Sequence, residues 1–240
     1  HYAGIAPWEY PVTRAGRFTC PDSLHNRIWE VSRRTLELCM HEHYEDTPWR
    51  EQSFYVADSR NQALCGYYAF GEYAFPEASF GLYKDAFEGP LYSDICAPCH
   101  SGLCIPAFTL NWPVAIYEHW MYSGSRTLME RCWDRVTTAL DEALNRLENG
   151  LMKTPGDPGM WNFYEWSDGM ADEITRDTVR EIARFEAPLQ LFLIRSLQCA
   201  AKMAPAMEDE AKAQRYGQAA ESVAQRVNEV FWQPQRGLYA

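Results

Sequence analysis

Apolar side chains recur every three or four residues along most of this chain, which is the period of a helix with one buried face. The longest stripes run from Leu128 to Leu147 and from Tyr216 to Val230, and a shorter one contains Leu24, Ile28 and Val31. Alternation of apolar and polar residues, which would indicate half-buried strands, is not convincing beyond the first twenty residues. The pattern therefore predicts an all-α fold with these stripes in its core.

Capping signals set the ends of the predicted helices. Pro48 suits the first helical position, with Thr47 as the N-cap before it, and the pair 149–150 (Asn-Gly) is a helix C-terminal signal. Residues 1–20, rich in Pro, Gly and aromatic side chains, are predicted to be an extended segment leading from a preceding domain, and residues 21–240 to form one helical domain. The predicted helices start at about Asp22 and then cover about 48–70, 72–87 with an interruption at Pro76, 111–122, 128–147, 188–203 and 208–231.

Two helical architectures fit this order, a closed toroid of helical hairpins and an open solenoid. A solenoid repeats itself at a fixed period, and the sequence shows no such repeat. Acidic and aromatic residues also concentrate in the loops that lead into alternate helices, near Asp46, Asn111, Trp161 and Glu186. In a ring of hairpins those loops would meet at one end, so the pattern favours a toroid with a common pocket.

Several carboxylates gather around the loop that precedes the second predicted helix. Asp46 lies in that loop, and the spacing of Glu51, Tyr55, Asp58 and Gln62 puts them on one face of the predicted helix. The arrangement suits glycoside chemistry, in which one carboxyl group donates a proton and others bind hydroxyl groups. Spacing alone also permits a solvated helix face with ordinary capping.

A second segment, bounded by Gly and Pro, is rich in aromatic side chains. Flat rings stack on the apolar faces of sugars, and this segment is too polar and irregular to be core alone. The residues that we expect to line a sugar site there are Trp161, Phe163, Tyr164, Glu165 and Trp166. The tryptophans that we expect in the core are Trp29, Trp120, Trp133 and Trp232.

Composition narrows the possible partners. The chain has 240 residues, 47% of them hydrophobic, which is enough for one domain with a sizeable core. A formal net charge of -11 argues against a nucleic-acid partner, which would need clustered Lys and Arg. No apolar run reaches the length of about 18 residues that a membrane span needs, and no signal peptide is visible. We therefore expect a cytoplasmic protein, with a periplasmic or secreted location as the alternative, that has a carbohydrate partner and neither nucleic-acid nor membrane partners; the oligomeric state stays open.

Cysteine and histidine clusters raise the alternative of a metal or haem centre. The run Cys96–His100 matches the attachment signature of c-type haem and, with Cys104, could supply zinc ligands. It occurs once and no second ligand pair follows, which favours free thiols or a local disulfide. His41 and His43 could also bind a metal, but their position before the acidic loop favours a role in shaping a pocket wall. We therefore predict no metal and no cofactor.

The acidic segment also resembles the mark of the alpha-L-rhamnosidases of glycoside hydrolase family 78. That mark is an Asp-Cys-Pro-x-Arg-Glu run followed by a further Asp; here it stands as 46–51 with Asp58, and Thr47 replaces the usual Cys. Four more segments look like landmarks of the same catalytic domain, in the right order: 105–112, 161–166, 185–189 and 237–239. The resemblance extends from about Phe18 to the end of the chain.

This resemblance implies an (alpha/alpha)6 barrel, of which residues 21–240 would be the N-terminal part, somewhat over half. It also implies removal of terminal alpha-L-rhamnose with inversion at the anomeric carbon, by a general acid and a general base. Glu51 would be the acid, Asp46 and Asp58 would bind sugar hydroxyl groups, and Arg50 would hold the cluster or a ring substituent. In the family the base lies late in the barrel, so we expect it beyond the end of this chain.

The role of Glu51 has one physical difficulty. A carboxylate four residues into a helix feels the positive end of the helix dipole, which would lower the pKa of Glu51, whereas a general acid needs a raised pKa; the nearby charges of Asp46, Asp58 and Glu45 could supply the rise. Glu165 stands where an Asp-Trp pair is common in the family. Another six-hairpin glycosidase or a lyase acting on a different sugar therefore remains open, as does carbohydrate binding without catalysis.

Overall fold

The computed structural model describes residues 3, 4, 6, 8–174 and 184–239, which are mostly helical. In these residues the helices are α1 (Ser23–Leu38), α2 (Val56–Ala69), α3 (Ala74–Leu82), α4 (Pro106–Ser123), α5 (Thr127–Asn145), α6 (Ala187–Met203) and α7 (Glu210–Phe231). Short strands form three antiparallel pairs: β1 (Phe54–Tyr55) with β2 (Cys96–Ala97), β3 (Leu147–Glu148) with β4 (Leu151–Met152), and β5 (Trp232–Gln233) with β6 (Leu238–Tyr239). The predicted all-α class is confirmed. None of the described helices is both long and apolar enough to cross a membrane.

Helices α2, α4 and α6 lie side by side and run in the same direction. Tyr68 near the end of α2 shares a hydrogen bond of 2.9 Å with Tyr122 near the end of α4, and the Lys202 ammonium in the last turn of α6 lies 5.6 Å from the ring centre of Tyr117 in α4. Helix α5 packs on α4 and α6, and α7 packs extensively on α6. An inner row of parallel helices with outer helices behind it is part of an alpha/alpha toroid, as predicted.

The core lies between the inner row and the outer helices, with α4 at its centre. Trp112 has no exposed surface, and its indole nitrogen donates to the Phe80 carbonyl oxygen at 3.0 Å. The predicted stripes of α5 and α7 are largely buried, apart from Val230. Buried Gln190 of α6 donates to the Met152 carbonyl oxygen and accepts from the Met152 nitrogen, both at 2.8 Å, which ties the β3–β4 hairpin to the inner row.

The second predicted helix begins later than expected. Residues 48–51 form a turn, β1 follows, and α2 begins at Val56 rather than Pro48. Thr47 is therefore not a helix N-cap; Tyr55 occupies that place in an extended conformation, without a side-chain cap. Pairing of β1 with β2, which is remote in sequence, keeps this segment extended. Local capping signals could not report that tertiary pairing.

Three smaller predictions are also wrong. The pair 149–150, with positive φ at both residues, forms the turn of the β3–β4 hairpin rather than the C-terminal signal of α5. Trp232 is partly exposed rather than in the core. The stripe of α1 faces outward, because none of the described elements covers Leu24, Ile28 or Val31, which are 47–63% exposed.

Candidate active site

The acidic segment forms a closed loop in front of α2. Asp46 joins the two ends of this loop: its backbone nitrogen donates to the Ser53 carbonyl oxygen at 3.0 Å, and its carboxylate accepts from the Ser53 nitrogen at 3.0 Å. Within the loop, the Glu51 nitrogen donates to the Thr47 hydroxyl oxygen at 3.4 Å. The loop thereby brings Asp46 and Glu51 to the N-terminal end of α2, where Asp58 lies in the first turn.

Glu51 is held by two donors. The Arg50 guanidinium contacts one carboxylate oxygen at 2.8 Å, and the Tyr55 hydroxyl donates to the other at 3.0 Å. Both contacts favour the ionised form, so Arg50 first and Tyr55 second lower the pKa of Glu51. The expected cause, the dipole of a helix containing Glu51, is wrong because Glu51 lies in the turn before β1. The sequence pattern put Tyr55 near Glu51, but it did not predict the hydrogen bond between them.

The pKa of Asp58 is shifted upwards, in the opposite direction to that of Glu51. Burial raises the pKa of its carboxyl group most, and the negative charges of Asp46, Glu51 and Glu165 raise it further. The residue still reaches solvent, so it lies in a recess at the surface rather than in the core. Four carboxylates, all among the predicted site residues, therefore interact at the entrance to α2: two come from the acidic loop, one from α2 itself and one, Glu165, from a second loop.

The loop that contains residues 161–166 (the aromatic loop) supplies an exposed ring beside these carboxylates. Trp166 is 77% exposed, and its ring centre lies 4.8 Å from that of Phe163 and 5.7 Å from that of Trp161. Trp161 is buried, and its indole nitrogen donates to the Asp172 carbonyl oxygen at 2.9 Å. The Glu165 carboxylate accepts from the Trp166 nitrogen at 2.7 Å. Glu165 and Trp166 are thus accessible to a ligand, whereas Trp161 supports them from within.

Glu186 fixes the base of the aromatic loop, a role that sequence reasoning missed. One of its carboxylate oxygens accepts from the Tyr164 hydroxyl at 3.0 Å and from the Thr154 hydroxyl at 2.9 Å. The other pairs with the Arg184 guanidinium at 3.1 Å. Tyr164 is consequently held below the surface, where burial raises the pKa of its hydroxyl group and the Glu186 charge raises it further. The one sequence signal was the position of Glu186 just before α6.

The loop after the third helix contains the residues best arranged for a cation in the described part of the chain. Glu88, Asp94 and His100 offer ligand atoms within 4.8 Å of one another. Asp94, however, is buried and already accepts hydrogen bonds from the Ser101 nitrogen at 2.7 Å and the Gly102 nitrogen at 2.9 Å. These bonds explain Asp94 as the residue that shapes the loop.

The two histidines before the acidic loop make local contacts. His41 Nδ1 lies 2.8 Å from a carboxylate oxygen of buried Glu45, and His43 Nδ1 lies 2.8 Å from the Tyr44 carbonyl oxygen. Gln62 of α2 donates to the Glu45 carbonyl oxygen at 2.6 Å. These contacts attach the segment before Asp46 to α2, which fits a part of the site wall.

Solved structures resemble this chain over nearly its whole length. A family 78 rhamnosidase of Bacillus sp. GL1 is 31% identical with a TM-score of 0.83, over 96% of this chain and 23% of that one. A rhamnosidase from Klebsiella oxytoca with rhamnose bound is 20% identical with a TM-score of 0.78, over 95% and 42%. The Streptomyces avermitilis alpha-L-rhamnosidase complexed with L-rhamnose is 16% identical with a TM-score of 0.65, over 93% and 20%. The last two likenesses show the fold alone.

The chain spans less than half the length of each of these proteins. A comparison with curated proteins found no significant match. The model of the bacterial alpha-L-rhamnosidase six-hairpin glycosidase domain matches residues 13–240. With the helical hairpins and the order of the loops described above, this match establishes that the chain belongs to the family of bacterial alpha-L-rhamnosidase six-hairpin glycosidase domains.

Proposed function

We propose that this chain carries the acid half of an alpha-L-rhamnosidase site, which removes terminal alpha-L-rhamnose with inversion at the anomeric carbon. The observation that carries the proposal is the convergence of Asp46, Glu51, Asp58 and Glu165 beside the exposed ring of Trp166. Carboxylates can accept hydrogen bonds from several hydroxyl groups, and an exposed indole can stack on the apolar face of a pyranose. Membership in the rhamnosidase family supports rhamnose as the sugar.

Glu51 is the general acid in this proposal, and its environment must change when substrate binds. In the free protein Arg50 and Tyr55 lower its pKa, whereas protonation of a leaving oxygen needs a pKa raised towards about 6. The Arg50 side chain is 84% exposed, so the described residues pack little against it. A bound sugar would attract the Arg50 guanidinium to the sugar hydroxyl groups and would shield Glu51 from water. Both changes disfavour the ionised carboxylate and therefore raise the pKa of Glu51.

Asp58 is the rival proton donor, because its pKa is already raised by burial and by neighbouring charge. We assign it to sugar binding instead, since its position matches the further Asp of the family mark. The general base is proposed to lie on a later hairpin, as the family resemblance implies. An inverting site needs two carboxyl groups about 6.5–9.5 Å apart, so this chain alone should hydrolyse aryl rhamnosides poorly or not at all.

Two other functions are candidates: a glycosidase or lyase for a different sugar, which Glu165 favours, and carbohydrate binding without catalysis, which would apply if the barrel lacks a working base. A different sugar or a lytic reaction would use the same pocket with other contacts at this position. Carbohydrate binding without catalysis would use the same residues without a base. Sugar selectivity, measured directly, separates the first from our proposal.

Titration of the chain with L-rhamnose tests the site without requiring catalysis. Stacking on Trp166 should produce a saturable change in tryptophan fluorescence, and L-fucose and D-glucose should produce a much weaker one. Trp166→Ala removes the fluorescent reporter, so its affinity is measured by isothermal titration calorimetry; it should bind L-rhamnose up to about tenfold more weakly, since an aromatic contact contributes about 0.5–1.5 kcal/mol. Trp8→Ala, at a tryptophan of similar exposure (72%) before α1, is the matched control and should leave the affinity unchanged. Equal responses to all three sugars would contradict the assignment of rhamnose.

A further inference from the structure

Two cysteines that the proposed sugar chemistry does not use lie in contact next to the acidic loop. Cys96 in β2 and Cys99 three residues later have their sulfur atoms 3.1 Å apart. All eight cysteines are free, and among the described contacts this is the one pair of sulfurs within hydrogen-bond distance. Formation of a disulfide at about 2.05 Å would require the two sulfurs to approach by roughly 1 Å.

The two sulfurs differ in accessibility, which suits an exchange reaction in which one thiol meets the small molecule and the other then closes the disulfide. Cys99 is exposed, so a small molecule can reach it, whereas Cys96 is 4% exposed and faces Cys99 from the strand. Burial raises the pKa of the Cys96 thiol, and the neighbouring Cys99 sulfur and Asp94 carboxylate raise it further. Cys99 is therefore the sulfur placed for attack and Cys96 the sulfur placed for closing the bond.

The loop that holds the pair is itself fixed, which limits the motion that could separate the sulfurs. Cys96 is paired with Tyr55 in the β1–β2 ladder, and its backbone nitrogen donates to the Asp94 carboxylate at 3.2 Å. Asp94 also accepts from the Ser101 hydroxyl at 2.7 Å, on the far side of Cys99. The same Tyr55 donates to Glu51, so the pair adjoins the carboxylate cluster.

We propose that Cys96 and Cys99 are a thiol–disulfide site that is oxidised by small disulfides such as oxidised glutathione. The Cys99 thiolate attacks one sulfur of the small disulfide, forms a mixed disulfide and releases one thiolate. Cys96 then loses its proton to that thiolate and attacks the Cys99 sulfur, which expels the second thiolate. The second thiolate takes up the proton that the Cys99 thiol gave to water before its attack, so two protein thiols are oxidised, one small disulfide is reduced to two thiols, and two electrons leave the protein.

Mass spectrometry after incubation of the chain with oxidised glutathione, acid quenching and alkylation tests this site. In the native chain, the peptide that contains both cysteines should lack two hydrogen atoms and carry neither an alkyl group nor glutathione on Cys96 or Cys99, whereas Cys104 in the same stretch should be alkylated. Cys99→Ser should leave Cys96 reduced, because the accessible sulfur is gone, while Cys96→Ser should stop at a glutathione adduct on Cys99. Cys65→Ser, at an exposed cysteine without a sulfur partner, is the control and should form the Cys96–Cys99 disulfide as the native chain does.

Circular dichroism of each variant is the check that the helices are retained. Cys99→Ser should pass this check, because it changes only an exposed side chain. Recovery of both Cys96 and Cys99 in alkylated form from the native chain would overturn the proposal. A glutathione adduct that persists on Cys99 in the native chain would overturn it as well, because Cys96 would then be unable to close the bond.

Discussion

Removal of the Tyr55 hydroxyl group tests whether the contacts around Glu51 control its proton affinity. In Tyr55→Phe the ring can keep its edge-to-face contact with Phe108, whose centre lies 6.4 Å away, so the change removes the polar contacts of the hydroxyl group, first among them the hydrogen bond to Glu51. The hydroxyl donates to Glu51 at 3.0 Å and favours the ionised carboxylate. Its removal must therefore raise the pKa of Glu51.

The expected rise follows from the strength of this bond. A hydrogen bond to a charged group contributes about 1.5–3 kcal/mol when it is well buried. The Glu51 side chain is 35% exposed, so solvent screening reduces the value to roughly half, about 0.7–1.5 kcal/mol. The ionised form of Glu51 should lose this stabilisation in Tyr55→Phe, so the pKa of Glu51 should rise.

Nuclear magnetic resonance titration of the Glu51 side-chain carboxyl carbon in the labelled chain measures this rise directly. Tyr10→Phe is the matched control, because it removes a hydroxyl that contacts a different carboxylate, Glu72, at 3.4 Å; it should leave the Glu51 titration unchanged. A Glu51 pKa that is the same in Tyr55→Phe and in the native chain would refute the electrostatic account of the loop.

The same bond also predicts how stability depends on pH. The folded-state pKa of Glu51 is lowered, so its contribution to the free energy of unfolding is complete above the unfolded-state pKa and is lost as pH falls through the folded-state pKa. The destabilisation caused by Tyr55→Phe should therefore be larger at neutral pH than in acid.

Two further stability predictions use urea unfolding. Asp58→Asn should raise the free energy of unfolding at neutral pH by about 0.2–1 kcal/mol, because it removes a charge that burial and neighbouring carboxylates disfavour, while solvent at this exposed residue screens part of the effect. The gain should vanish in acid, and a loss of stability at neutral pH would contradict it. Gly159→Ala should destabilise by about 1–3 kcal/mol, because φ is +79° and a Cβ atom would lie 2.7 Å from the Gly102 carbonyl oxygen. Gly217→Ala, in α7 with no atom near the added Cβ, should instead stabilise by about 0.5–1 kcal/mol, and the same sign for both glycines would refute the reasoning.

The helical layers could be predicted from sequence because they depend on local periodicity. Helices α5, α6 and α7 begin and end within a few residues of the predicted limits, since their limits depend on local apolar periodicity rather than on pairing with a remote segment. The start of α2 could not be predicted, because it depends on pairing between β1 and β2. The outward stripe of α1 has the same origin: periodicity reports that a face is apolar, but not which element covers it.

The candidate site was predictable in its residues but not in its contacts. The family mark identified Asp46, Glu51 and Asp58, and the structure brings their charges together. The role of Glu186 could not be read from sequence, since its partners come from two separate segments. The sequence also could not predict that Trp161 is buried and Trp166 exposed, because both are aromatic residues of the same loop.

The central claim is that Glu51 donates the proton to the leaving oxygen. It is tested most directly by comparing how much activity Glu51→Gln loses on substrates with poor and with good leaving groups. In a polypeptide carrying the complete barrel, Glu51→Gln should lower kcat/KM for a natural rhamnoside by about 10²–10⁴-fold, the usual contribution of general acid–base catalysis. For an activated aryl rhamnoside, whose phenolate leaves with little help, the loss should be much smaller. Asp58→Asn should weaken both substrates alike, as expected for a residue that binds a hydroxyl group. Equal losses on both substrates for Glu51→Gln would contradict the account and make Asp58 or Asp46 the candidate proton donor.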